Sequence, residues 1–144
     1  MLKLFKTAVI VLCFFCLGLG PKENSVTAEA GKRTVKTGEV FSYTIKIEGE
    51  FEQPRIILPE LKNFRIVSQS KSKRHSFKDK TETSAVKLIY FLFAPEPGAF
   101  TITPAVVEDN GKEFKSKSVT IQVKGAVLKE DKKILPYIES GIEI

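Results

Sequence analysis

The only histidine in the chain, His75, stands in Lys73-Arg74-His75-Ser76, with Asp79 four residues on. Histidine, serine and aspartate together are the set used in nucleophilic hydrolysis. The imidazole takes the hydroxyl proton and the carboxylate orients the ring. Here the set has neither the sharp turn that presents a nucleophile nor any context for an oxyanion hole. The flanking cations disfavour protonation of the ring and its binding of a metal ion. His75 therefore reads as a solvated surface residue. Glu108-Asp109 before Asn110-Gly111 could touch a calcium ion, but a hairpin turn explains these four residues better. A zinc site would need carboxylates for nearly every ligand. No phosphate loop of glycines and no dinucleotide fingerprint occurs. The chemistry left to this chain is recognition, without catalysis, metal or cofactor.

Two groups of residues could recognise something. Lys62 to Lys80 holds Lys62, Arg65, Lys71, Lys73, Arg74, Lys78 and Lys80 against Asp79 alone. Lys71, Lys73, Arg74 and Lys78 form its densest part. Such a patch could meet lipid headgroups, an acidic partner or nucleic acid. It is equally the composition of a solvated strand whose lysines discourage edge-to-edge association. The second group lies in Thr83 to Phe93. Val86, Leu88, Tyr90 and Leu92 make one face, and the other holds Lys87, Ile89, Phe91 and Phe93. A strand apolar on both sides is either covered on both or offers one face to a partner. Phe91 and Phe93 are the candidates for that surface.

The elements that carry these residues are strands. Phe41, Tyr43, Ile45 and Ile47 alternate with Ser42, Thr44, Lys46 and Glu48, the pattern of a half-buried strand. Ser25 to Ala30 alternates likewise, Thr34 to Lys36 resumes an edge, and Arg55 to Leu58 and Phe64 to Ser70 follow. Phe100, Ile102, Pro104 and Val106 form one run, and Val119, Ile121 and Val123 return on the same period. Asn110-Gly111 between them suits a two-residue type I′ turn. Phe114 is out of phase with Val119, and a β-bulge between Lys115 and Ser118 is the expected repair. No helix is predicted between these runs. About seven short strands imply an all-β, antiparallel, immunoglobulin-like β-sandwich.

Met1 to Gly20 has Lys3 and Lys6 before an apolar run from Ala8 to Leu19. That is the pattern of a secretory signal peptide, a hydrophobic signal helix, or if uncut a short signal anchor. Cys16 follows Phe14 and Phe15 instead of the small residue that precedes a lipidated cysteine, so lipidation is not expected. Both cysteines, Cys13 and Cys16, lie in this run, and its removal leaves none for a disulfide. Taking away Lys3 and Lys6 from the 23 basic residues leaves 21 against 17 acidic ones, a net charge of +4 instead of +6. The sequence divides into a signal segment (1–20), a sandwich (21–125) and a tail (126–144). The tail reads as a linker, or as a segment that docks on this domain or on a partner. An exported location, in the periplasm or on the outer face of the cytoplasmic membrane, argues against a nucleic-acid ligand. Membrane attachment is expected only through the N-terminal segment.

Several pieces in order resemble the N-terminal domain of the BatD, or oxygen-tolerance, family. They are Ser25-Val-Thr-Ala-Glu-Ala30, Gly38-Glu39-Val-Phe-Ser-Tyr-Thr-Ile45 and Leu58-Pro-Glu-Leu-Lys-Asn-Phe-Arg-Ile-Val67. Leu88 to Pro104, and Asn110-Gly111 leading to Val119-Thr-Ile-Gln-Val123, complete them. The resemblance implies a non-enzymatic protein-protein interaction module of the envelope. It also implies partners with von Willebrand A-type domains and a MoxR-type ATPase, in aerotolerance, stress response or complex assembly. Family members typically repeat such domains and carry a C-terminal membrane helix, whereas this sequence has one such domain and no second apolar span. A binder of extracytoplasmic glycans or anionic polymers, using Lys71, Lys73, Arg74 and Lys78, is the alternative.

Overall fold

The computed structural model describes residues 23–78 and 80–129, and the signal segment, Cys13, Cys16, Asp79 and residues 130–144 lie outside them. Ten strands follow one another: β1 (Ser25–Ala30), β2 (Thr34–Lys36), β3 (Phe41–Gly49), β4 (Arg55–Ile57), β5 (Arg65–Lys78), β6 (Thr81–Phe93), β7 (Gly98–Ile102), β8 (Val106–Asp109), β9 (Lys112–Lys115) and β10 (Val119–Lys124). No helix occurs among the described residues. One sheet has the order β1-β3-β6-β5, and the opposite layer consists of two three-stranded sheets, β2-β10-β7 and β4-β8-β9. The architecture is the all-β sandwich expected. All pairings are antiparallel except β2 on β10, which is parallel.

Alternation dictates the core. Every second residue of β3, from Phe41 to Ile47, is buried, and Leu88, Tyr90 and Leu92 of β6 join them on the inner face. Ile102, Val107, Val119, Ile121 and Val123 come from the other layer. Phe64 stitches the layers together, its ring edge-on to Phe41 at 5.6 Å and to Phe100 at 5.9 Å. Burial of these apolar surfaces is the main stabilising term.

The excess of strands over seven has a physical origin. The hairpin about Asn110 and Gly111 forms as expected, with φ of 49° and 78° at the two turn residues. Both of its arms break, however, and at the same height. The first arm passes from β7 to β8, and the second from β9 to β10, each changing sheets. The Ser116 N–H donates to the Ala105 carbonyl at 2.9 Å, and the Ala105 N–H donates to Ser116 Oγ at 2.9 Å. Ser116 thus satisfies the backbone of both arms where the ladder is interrupted. The expected bulge between Lys115 and Ser118 is therefore corrected to a sheet crossing. Past Ile102 the inward residues are Ala105, Val107 and Asp109, so Pro104 and Val106 do not continue the core face. The bulge of this fold lies elsewhere, at Val67, between the Ile66–Leu92 and Ser68–Phe91 pairs.

Tyr43 is fully buried among these residues, 6.5 Å from the Tyr90 ring, and its hydroxyl has no hydrogen-bond partner among the described residues. Burial, with a smaller contribution from Tyr90, pushes its pKa up to about 12 from the usual 10. A raised folded-state pKa leaves stability intact below pH 10 and removes it as the pH climbs towards 12. Urea midpoints should therefore fall across that window, and Tyr43→Phe should flatten the decline.

Candidate functional site

The two recognition groups sit on the four-stranded sheet. The outer face of β6 presents Lys87, Ile89, Phe91 and Phe93, as the period of two requires. Phe91 lies between Ser42 of β3 and Ser68 of β5, too short to cover its ring, and is 40% exposed. Ile89 and Phe93 are half-buried. Two exposed residues extend the apolar surface: Val40, just before the Phe41–Leu92 pair, and Val67 at the bulge. Of the two expected phenylalanines, the structure thus exposes Phe91 and half-shelters Phe93. The sequence reading misses Val40 and Val67, whose exposure depends on a strand end and a bulge.

Strand β5 divides the basic patch. Lys71 and Lys73 pair with Leu88 and Val86, so they share the inner face of the sheet, laterally beyond the second layer. Arg74 pairs with Ala85 and lies on the outer face, lining a hollow of about 220 Å³ with Lys46, Glu48, Ser72 and Lys87. Lys78 ends the strand opposite Thr81. Adjacent residues in a strand point to opposite sides, so four cations close in sequence do not form one flat surface. Among the described residues none of Lys71, Lys73 and Arg74 takes part in an ion pair.

The sequence reading also misses a groove beneath β5. Leu58, Pro59, Leu61, Ile66, Gln69 and Tyr90 line about 270 Å³ there, with Leu58 and Ile66 largely exposed. It arises because β5 continues past the edge of the second layer, leaving its inner side uncovered.

The candidate catalytic and metal-binding residues are not brought into a site. His75 Nδ1 lies 3.0 Å from Glu82 Oε1 across the β5–β6 hairpin, both exposed. The Asp109 carboxylate accepts the N–H groups of Glu52 and Gln53 at 3.2 and 2.8 Å, so it is engaged in holding a loop. Among the described residues no group of three or more histidines, cysteines or carboxylates could hold a metal ion. At its other end the sandwich receives the start of the tail. The Leu128 N–H donates to the Pro95 carbonyl at 2.8 Å, and the Leu128 side chain rests against Gly38.

The family model described as the BatD DUF11-like domain matches residues 28–123, two thirds of the chain. No curated protein matches the chain.

Proposed function

The chain belongs to the BatD family, and from that membership we propose that it works as a non-enzymatic interaction module of the bacterial envelope. Its partners in this reading are proteins with von Willebrand A-type domains, acting with a MoxR-type ATPase in aerotolerance, stress response or complex assembly. The signal-like N-terminal segment supports a place in the periplasm or on the outer face of the cytoplasmic membrane.

One observation carries the reading: the outer face of β6 holds Phe91 exposed between two serines, with exposed Val40 and Val67 beside it. Aromatic side chains flanked by small residues are the usual anchors of protein interfaces, because they bury much area at little conformational cost. A glycan or anionic polymer would instead use Lys71, Lys73, Arg74 and Lys78. The split of Lys71 and Lys73 from Arg74 onto opposite faces weighs against one flat polymer site.

Co-purification from solubilised envelopes with a co-expressed von Willebrand A-type protein tests the proposal. Phe91→Ser should weaken capture roughly tenfold or more, the usual effect of truncating an aromatic anchor. Its urea midpoint should move by no more than about 1 kcal/mol equivalent, as expected of an exposed strand position. Phe93→Ser should act in the same direction. Undiminished capture by both variants would remove this surface from the account.

A further inference from the structure

The hairpin of β5 and β6 runs past the rest of its sheet. Gly49 and Ser84 are the last pair that β3 makes with β6, and Thr81 to Thr83 pair with β5 alone. The hairpin therefore projects as a two-stranded arm, roughly three residues or 10 Å beyond its neighbour. Near its tip stands Phe77, 76% exposed, the most exposed large apolar side chain among the described residues. Lys80 occupies the turn with φ of 65°, and Lys73, Arg74 and His75 lie on β5 just below the arm, where β3 still flanks the hairpin, all exposed. An arm kept soluble by its lysines has no use for an uncovered phenylalanine at its end. Aromatic and basic residues together are the composition of a segment that lies at a membrane interface.

The beginning of the domain lies at this same end. Asn24 is tied to Glu50 by two hydrogen bonds, its Nδ2 donating to the Glu50 carbonyl at 2.8 Å and its Oδ1 accepting the Glu50 N–H at 2.6 Å. Glu50 follows Gly49, which pairs with Ser84 at the root of the arm. Asn24 thus opens β1 two strand spacings, about 10 Å, from the arm, and the apolar run from Ala8 to Leu19 precedes it in the sequence.

We propose that the β5–β6 arm is a membrane contact, with Phe77 seated at the boundary of headgroups and acyl chains of an anionic bilayer and Lys73, Arg74 and Lys80 meeting lipid phosphates. Strand alternation places Lys73 and Arg74 on opposite sides of the sheet at the root of the arm. That suits an arm surrounded by headgroups better than it suits a flat ligand. Lys73 and Arg74 lie four and three residues from Phe77. That is about 13 and 10 Å along the strand, close to one Debye length, roughly 10 Å, from a surface that Phe77 touches. Phe91 lies eight residues along β6 from Thr83, about 26 Å from the arm, where a partner can reach it.

The chain contains no tryptophan, so Phe77→Trp gives a single fluorophore at an exposed position. The full chain carrying it is mixed with phosphatidylcholine vesicles with or without phosphatidylglycerol, and with brominated lipids as quenchers. The expected result is a blue shift and strong bromolipid quenching in the anionic vesicles only, lost near 1 M salt, where the Debye length falls to about 3 Å. Lys73→Gln and Arg74→Gln in this background should each reduce the quenched fraction roughly fivefold. Val40→Trp, at the far end of the sheet beside Phe41, should stay unquenched throughout. Emission from position 77 that ignores anionic lipid overturns the proposal, including the case in which the arm binds an acidic protein. Equal quenching at positions 40 and 77 overturns it too, because adsorption is then indifferent to the arm.

Discussion

Leu92→Ala lowers the stability of the fold by about 3 kcal/mol, the usual cost of emptying a fully buried leucine site, while Phe91→Ser, one residue away, leaves the fold standing. Leu92 is 0% exposed and sits on the inner face between Phe41 of β3 and Ile66 of β5. Its removal takes away the contacts of three side-chain carbons, and the flanking strands hold the void open because both are hydrogen-bonded to β6. Of a typical domain stability of 5–15 kcal/mol, a loss of this size is a large fraction. Urea denaturation should show the midpoint falling with the slope unchanged. A midpoint within the equivalent of about 1 kcal/mol of the parent would mean that Leu92 is not a core residue and that the facing of β6 is wrong. The pair of substitutions separates the two sides of one strand: Leu92 holds the layers together, and Phe91 stands exposed on the outer face.

That division is legible in the sequence because it rests on a local rule. Alternation along Phe41 to Ile47 identifies the inner face without knowledge of neighbours, and along Val86 to Leu92 it separates two apolar faces, of which the structure turns this one inward. The Asn110-Gly111 turn is equally local, since the two positive φ angles it needs are open to few residues. What eludes the sequence depends on pairs distant along the chain. The phase slip between Phe114 and Val119 is visible, but a bulge and a sheet crossing both explain it. Only the meeting of Ser116 with Ala105, eleven residues apart, decides for the crossing. The same holds for the basic stretch. Its charge is plain, yet whether Lys71 and Arg74 share a surface depends on β5 being a regular strand there, when its serine-rich composition also suits a loop. The groove under β5 follows from where the second layer stops and the exposure of Val67 from the bulge in the β5–β6 pairing, neither of which a single stretch of residues encodes.

Asp109 shows the same limit, and removing its carboxylate should cost the fold about 2 kcal/mol, in the range for hydrogen bonds to a charged acceptor. Beside Asn110-Gly111 its sequence reads as turn chemistry, with calcium as the alternative. In the structure it closes β8, 8% exposed, and its two oxygens accept from the backbone of Glu52 and Gln53, more than fifty residues earlier. Asn110 adds a bond from Nδ2 to Glu52 Oε2 at 2.6 Å. These contacts fasten the connection between β3 and β4, which otherwise has few backbone partners of its own. Asp109→Ala strips both amides of their acceptor at once. Asp109→Asn keeps one acceptor oxygen and should cost roughly half as much. Amide exchange at Glu52 and Gln53 should quicken in both variants, most in the alanine one, with little change along β10. Because this loop leads into β4 and so into the β4-β8-β9 sheet, its release should open that sheet before the four-stranded one. Unchanged exchange at the two amides would show that the carboxylate does not hold the loop.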